Sequence, residues 1–454
     1  MAMKHFEANG LWYPSDDSTN AVGGTLKFDK DGLQLALLGS FRQGWSPKAE
    51  EYPIIHGVVG ESPYGAYVTL IDCYRNKMNF NMVGVTSERI TCKKAVIGDC
   101  HLPVEPTRFE SIDLDFTYLS EWVGRGGVVV DMMPDDGKTY VASYRKPENV
   151  EFSFGDKTLS LGFTFKASQS THTATLTEAA RLFVKPVGEI SPQTVGQEHV
   201  RRLQNLLSFA TDTANAVEEI VYRGETRESG STNNIHLIYR PVLNIERKKE
   251  SFHLTDMLFC YADAQAAAIN IFQKWLDFAD KHQAFVTVYF ADIDDRPRYL
   301  DDRFAKVFDA FTLLCATLRE TSEKAKRFLG EAESSLNSNF PEEERELLCH
   351  VLPTITDVEM PFLLLALLRE NAALMSQIVD DFRGFVRSIS HTLYFIRWRV
   401  EGEHPPLQGV DLHSAMEKMR MLIKILVLKE LGFSEDNIKV FVERNEWFNY
   451  LKTV

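Results

Sequence analysis

The chain has 454 residues, of which 44% are hydrophobic and 25% charged, and a formal net charge of −14. That length exceeds what one hydrophobic core supports and predicts two or three domains, and the composition excludes long disorder. The acidic balance excludes a protein that coats nucleic acid nonspecifically, because phosphate contacts need clustered Lys and Arg. Any nucleic-acid site has to be a local basic patch.

Residues 1–9 show neither the apolar stretch nor the small-residue cleavage pattern of a secretory leader. The most apolar run, residues 361–368, is closed by Arg369 and Glu370, far short of the roughly 20 residues a membrane span needs. The expectation is a cytoplasmic protein with no membrane segment. The six cysteines, Cys73, Cys92, Cys100, Cys260, Cys315 and Cys349, form no CxxC pair, which argues against a disulfide framework or a zinc finger. Cys92, Cys100 and His101 come nearest to a metal cluster, but at a spacing that matches no common site. No metal and no cofactor is expected.

Up to about residue 191 the chain reads as strands and turns. Short β-favouring runs at 25–28, 33–38, 67–71, 127–130 and 159–165 are punctuated by Gly, Asp, Asn and Pro, which predicts a sandwich or barrel-like unit. Residues 193–221 shift to helical spacing through Val200, Leu203, Leu206, Leu207 and Ala210. A polar loop is expected at 223–234 and a short strand at 236–239. From about residue 264 the pattern is persistently helical, interrupted by an acidic, proline-bearing break at 292–297 that lacks the glycine turn and closing Glu of a calcium loop. Further helices are predicted at 341–352, 358–374, 376–399, 412–431 and 434–450, with Gly432 as a stop and Ser434 as an N-cap. The fold class expected is α+β and multidomain: a β-rich domain over 1–262 with a helical end, then an all-helical domain over 263–454 with its core at about 299–454.

Within 376–399, Ile378, Phe382, Phe385, Ile389, Leu393 and Ile396 form one apolar stripe at about 100° per residue. The opposite side collects Asp380, Arg383, Arg387, His391, Tyr394 and Trp398. An ordinary solvated face holds Lys, Glu and Gln; this one holds arginines, a histidine and aromatics. Arg387 and His391 stand one turn apart, so their side chains are neighbours, and Gly384 would let another backbone come close. An imidazole can take the proton of a ribose 2′-OH while a guanidinium holds the phosphate, which describes metal-free RNA cleavage. Between Arg383 and Lys424 the basic residues Arg383, Arg387, Arg397, Arg399, Lys418, Arg420 and Lys424 outnumber Glu401, Glu403, Asp411 and Glu417, reversing the sign of the whole chain locally.

The segment Arg387-Ser388-Ile389-Ser390-His391, followed by a long helix and Gly432-Phe433-Ser434, resembles the HEPN domain of ApeA-like anti-phage proteins. Gly10-Leu11-Trp12-Tyr13-Pro14, Gly24 to Phe28, Leu37 to Phe41, His56-Gly57 and Val68 to Leu70 look like the N-terminal domain that accompanies it. The resemblance implies abortive-infection defence by a HEPN endoribonuclease that cuts RNA, tRNA among the candidates, leaving a 2′,3′-cyclic phosphate. It implies a homodimer or higher homo-oligomer in which two Arg/His helices meet in one composite site. The N-terminal domain would be the sensor or regulator, with a phage protein as a possible trigger. In the family, four to six residues separate Arg from His and the residue after Arg is often Asn. Arg387 and His391 enclose three and Ser388 follows Arg387, whereas Arg383 and His391 enclose seven. His391, Arg387 and Ser388 are therefore the catalytic candidates, with Arg383, Tyr394 and Asp380 as supporting or alternative residues. The alternative is an inactive HEPN scaffold that binds RNA or a phage partner without turnover.

Other motifs carry less. Gly124-Arg125-Gly126-Gly127 has no following Lys-Ser or Lys-Thr, so a turn is expected there. Ser388 and Ser390 lack a nucleophile-elbow context, and Cys349 and His350 point apart on a helix. Glu331 to Glu346 reads as a solvated acidic stretch. Trp12, Tyr13 and Trp122 could line a sugar or peptide site on the β domain if they were exposed in one patch.

Overall fold

The computed structural model describes residues 6–29, 31–41, 51–62, 65–79, 86–131, 141–192, 194–195, 199–226, 232–239, 252–294, 299–321, 355–398 and 406–453. Two compact units divide the chain: Met1–Ser208 with Asn215–Glu250, and Phe209–Ala214 with Ser251–Val454.

In the first unit, alternation of apolar and polar residues builds strands β1 (Phe6–Pro14), β2 (Val22–Asp29), β3 (Gly32–Leu37), β4 (Glu51–Val59), β5 (Tyr67–Asn79) and β6 (Ser87–Gly98). In β3, for instance, Leu33, Leu35 and Leu37 are buried while Gln34 and Ala36 are exposed. The pairing is antiparallel throughout and returns on itself: β1 with β2, β2 with β3, β3 with β6, β6 with β5, β5 with β4, and β4 with β1. Six strands thus close a small barrel whose inside is filled by Trp12, Leu26, Leu35, Ile55, Leu70 and Ile90 among others.

Trp12 is the largest of these fillers and is fully buried, its indole N–H donating to the Gly24 carbonyl at 3.0 Å. Its neighbour across the ladder is Gly57. A Cβ there would run into the indole ring, so glycine is what lets β4 close over the tryptophan.

Strand β6 also starts a second sheet. Its first half, Glu88 to Cys92, pairs with β3, and its second half, Lys94 to Gly98, pairs on the same side with β16 (Thr232–Tyr239). Beyond β16 the order is β15 (Val217–Thr226), β8 (Ser111–Phe116), β13 (Ala174–Lys185), β12 (Lys157–Gln169) and β11 (Val150–Phe154). Two smaller ladders join β7 (Thr107–Phe109) to β14 (Gly188–Ile190) and β9 (Val128–Asp131) to β10 (Val141–Tyr144). Helix α1 (Leu119–Val123) packs on β13 and buries Leu119, Trp122 and Val123. Helix α2 (His199–Ala210) buries Leu203, Leu206 and Leu207.

Two sequence expectations are corrected. The helical run over 193–221 contains only α2, and Val217 onward already belongs to β15. The polar stretch 223–234 is not simply a loop, because Val221, Tyr222 and Arg223 pair directly with His236, Ile235 and Asn234, extending β15 and β16 towards each other. Trp12 and Trp122 are fully buried core, so the exposed patch that a ligand site with Tyr13 would require does not form.

The second unit is helical. After a single 3₁₀ turn, Leu254–Asp256, come α3 (Tyr261–Ala266), α4 (Ile271–Lys281), α5 (Gln283–Asp294), α6 (Leu300–Thr321), α7 (Ile355–Glu370), α8 (Ala372–Met375), α9 (Phe382–Trp398), α10 (Gly409–Glu430), α11 (Glu435–Arg444) and α12 (Glu446–Leu451). Helix α10 is buried at every residue from 421 to 428 and packs against α6, α11 and α12, the behaviour of a central helix that is apolar almost all round, Lys424 being the exception. Ser434 caps α11 by accepting the Asn437 N–H, as its sequence context predicts. The expected helix over 434–450 is split at Asn445, whose side chain caps α12 and reaches the Met257 carbonyl. Asp292 and Asp294 belong to α5, so that helix runs into the expected break. The helix expected at 341–352 and the acidic stretch 331–346 lie outside the described residues.

Replacing Gly57 by Ala should lower the denaturant midpoint of the folded protein by an amount equivalent to about 1–3 kcal/mol, since the new methyl overpacks a filled barrel. Gly23→Ala, at a position where a Cβ meets nothing within 4 Å, should change stability by less than about 0.5 kcal/mol.

Candidate functional site: the polar face of helix α9

Helix α9 begins where a side chain can satisfy its first free N–H groups. Asp381 does this: its carboxylate accepts the Arg383 N–H at 3.0 Å and its carbonyl accepts the Phe385 N–H at 2.9 Å. Asp380 therefore lies in the preceding turn, exposed, and is not on the polar face of α9 where the sequence pattern put it. The expected helices over 358–374 and 376–399 become α7, α8 and α9, because Asn371 and the turn after Met375 interrupt them. Gly384 has a local role as well: the space a Cβ would occupy is filled by the Asp381 carboxylate, so the glycine makes room for the helix's own cap.

Along α9, Val386, Ile389, Thr392 and Leu393 are buried, whereas Phe382, Phe385 and Ile396 of the predicted stripe are only half-buried. The buried line is thus narrower than the periodicity suggests. Arg383 and Arg387 are exposed; Ser388, His391 and Tyr394 are half-buried beside them. The helix packs on α7 and α6. Its rotation is fixed by Thr392, whose hydroxyl donates to the Ser388 carbonyl at 2.8 Å and accepts the Leu407 N–H at 2.9 Å. Arg397 adds an ion pair to Asp309 of α6 at 2.5 Å. The Ser390 hydroxyl is spent on the Val386 carbonyl at 2.8 Å. The Trp398 side chain and Arg399 lie outside the described residues.

Three of the basic residues read from the sequence, Arg397, Arg420 and Lys424, are paired with carboxylates. Lys424 is only 4% exposed and is paired with Asp212 at 2.6 Å. Arg420 is held by Glu417 at 2.6 Å, and Glu417 also accepts the Trp447 indole N–H at 3.1 Å. With Arg397 engaged as well, the exposed cations of this group that α9 itself carries towards solvent are Arg383 and Arg387.

At the far end of α10, Glu430 sits 2.7 Å from Lys281 Nζ and 3.4 Å from Nε2 of the buried His282. The hydrogen bond from His282, then Lys281, hold its carboxyl down at about 2, against an ordinary value of 4.5.

In the first unit the second sheet carries a charged cluster that sequence reading missed. Arg181 of β13 faces Asp113 and Asp115 of β8 at 3.5 and 3.6 Å and Glu219 of β15 at 2.5 Å. Arg223 binds Asp113 at 2.8 Å, and His236 of β16 lies 3.4 Å from Glu219. The His236 hydrogen bond, with Arg181, pulls Glu219 down to about 2, while burial pushes Asp115 up. The visible signal was the alternation in β8, where Ser111, Asp113 and Asp115 interleave with Ile112, Leu114 and Phe116 in a strand buried on both faces.

On the barrel wall, His56 and His101 stack with ring centres 4.5 Å apart. His101 Nδ1 lies 3.0 Å from the Val68 carbonyl and must carry the proton, so Nε2 accepts from the Tyr13 hydroxyl at 3.2 Å. Burial and the neighbouring His56 push His101 down to about 4, so it is neutral near pH 7. That arrangement, and the burial of Cys92 inside the barrel opposite Cys73, pull Cys92 and His101 apart as metal ligands. Among the described residues no group of three or more His, Cys, Asp or Glu is placed to hold a metal, and no helix is long and apolar enough to cross a membrane.

A barrel-like β unit with extra strands, followed by helices, defines a mixed α+β protein. Residues 7–275 match ApeA N-terminal domain 1, more than half of the chain. The chain therefore belongs to the ApeA family, a family of anti-phage defence proteins. The match runs from β1 into α4 and does not include α9. No curated protein and no solved structure matches the chain.

Because the folded Glu430 carboxyl titrates below its unfolded value, the stabilisation it gives is present above about pH 4.5 and is lost as pH falls towards 2. Wild type should exceed Glu430→Gln in stability by about 1 kcal/mol at pH 6, and the gap in denaturant midpoints should narrow below about pH 4.5 and close only as pH approaches 2.

Proposed function

We propose that this protein is a metal-independent HEPN endoribonuclease of anti-phage defence, with the β unit sensing or regulating and the α9 face supplying half of a composite site. The observation that carries the reading is the face itself: exposed Arg387 and half-buried His391 one turn apart, on a helix locked from behind by Ile389 and Thr392. Membership of the ApeA family supports it from the other end of the chain. His391 acts as general base on a ribose 2′-OH. The 2′ oxygen forms a bond to the adjacent phosphorus, the bond from phosphorus to the 5′ oxygen breaks, and the leaving oxygen takes a proton. The products are a 2′,3′-cyclic phosphate and a 5′-hydroxyl. Arg387 holds the phosphate and offsets charge growing on its oxygens, Ser388 lies beside it, and Tyr394 can stack on an unpaired base. Arg383, also exposed and one turn earlier, is the competing phosphate ligand.

A second reading has its own observation. Pairing of Arg397, Arg420 and Lys424 with carboxylates lowers the positive charge available to a polyanion, which favours a noncatalytic HEPN scaffold that captures a phage protein or RNA without turnover. Purified protein incubated with total tRNA and a chelator separates the two. Cleavage should proceed, fall by at least about 100-fold in His391→Ala, and fall more in Arg387→Ala than in Arg383→Ala. Full cleavage by His391→Ala refutes the nuclease assignment; no cleavage by wild type, with cell protection surviving His391→Ala, supports the scaffold.

A further inference from the structure

Strands β12 and β13 form a long ribbon, paired without a bulge from Thr158 and Lys185 to Gln169 and Ala174. Only its base is built into the sheet. Strand β11 covers β12 from Lys157 to Leu161, and β8 covers β13 from Leu182 to Val184. Past those points β13 is still engaged on its outer side, where the Ser120 hydroxyl accepts the Ala180 N–H at 3.0 Å. The outer edge of β12 from Phe163 to Gln169 has no strand paired to it among the described residues, and residues 165–175 are exposed.

This edge is braced. The Tyr144 ring of β10 stacks on Phe165 at 3.9 Å with the planes 6° apart. The Glu178 carboxylate, opposite Phe165 in the register, accepts the Gly127 N–H at 2.6 Å and the Tyr144 hydroxyl at 3.3 Å. The bracing ladder β9–β10 itself exposes Val129, Val130 and Val141 at 62%, 52% and 50%. Natural edges are usually blunted by proline, bulges, short length or charged side chains, lysine above all. The stretch from Phe163 to Gln169 has no proline and no bulge, and its single charge is Lys166 at the centre.

From this edge we infer a docking site for an extended strand of another protein, added to β12 along the edge that no described strand pairs and carrying an acidic residue opposite Lys166. Backbone donors and acceptors in a fixed row recognise a strand rather than a helix or a small molecule. Lys166 selects among strands. Full-length antiparallel pairing with a second copy sets Lys166 against its own counterpart, a like-charge pair that disfavours self-association, whereas a carboxylate there is favoured. The inference does not depend on whether α9 cleaves RNA.

The test uses the full chain and a short synthetic peptide of alternating Thr and Val with one central Glu, alongside a central-Lys version and a version N-methylated at alternate residues. Hydrogen exchange should show the amides of residues 163–169 protected by the Glu peptide, with the rest of the barrel unchanged. The Glu peptide should bind roughly fivefold tighter than the Lys peptide. Lys166→Glu should reverse that order and Lys166→Gln should erase it, both at an exposed position that leaves folding intact. Absence of protection at 163–169, or equal binding by the N-methylated peptide, overturns the inference. Protection of the same amides that grows with protein concentration and needs no peptide identifies a second copy as the occupant and overturns the partner stated here.

Discussion

A barrel of strands closes only if its ends find each other, and in this protein β6 makes that closure while also feeding a second sheet. It pairs with β5 along its whole length, with β3 over its first half and with β16 over its second. Everything in the first unit hangs on that division of one strand edge between two neighbours. The closed ring leaves an interior that must be filled, and Trp12 fills it only because Gly57 stands opposite. The branch carries β16, β15 and β8 outward and so gathers Asp113, Asp115, Arg181, Glu219 and His236 on one face. It also leaves β12 and β13 to run on as a ribbon once β11 and β8 have ended.

The same electrostatic rule governs both units. A charge removed from water is tolerated when an opposite charge and good hydrogen bonds stand beside it, and breaking such a pair costs more than making it gains. In the β unit Arg181 is surrounded by three carboxylates. In the helical unit Lys424 meets Asp212, Arg420 meets Glu417, and Arg444 binds both oxygens of Asp263 at 3.2 and 2.6 Å. For function, the consequence is that charges counted along the sequence do not add up to a charged surface. Of the positive residues between 383 and 424, Arg397, Arg420 and Lys424 are each paired with a carboxylate, and α9 presents Arg383 and Arg387 to solvent beside the paired Arg397.

Local periodicity made much of this legible. The strands around Leu33–Leu37 and Leu159–Phe165 follow from alternation, and the amphipathic character of α9 follows from its helical stripe, including the placement of Arg387 and His391 on one side. Non-local facts were out of reach. Ring closure depends on β3 meeting β6 as well as on β1 meeting β4, and Lys424 is neutralised by a residue 212 positions away; no short window holds such information. The start of α9 was misplaced for a subtler reason: two successive aspartates, Asp380 and Asp381, are equally good caps by type, and only the hydrogen bond to Arg383 selects the second. The polar look of residues 223–234 hid the pairing of β15 with β16 partly because Arg223, read as a loop residue, instead serves the cluster on the sheet through Asp113.

The chemistry proposed for α9 is attack by a nucleophile that the RNA itself supplies, deprotonated by His391. The most direct measurement is cleavage of a synthetic RNA in which the single ribose 5′ to the mapped cut carries a 2′-deoxy substitution. The account predicts that the cut at that position disappears while the unmodified strand is cleaved to a 2′,3′-cyclic phosphate end. Undiminished cleavage at the deoxy position would contradict it.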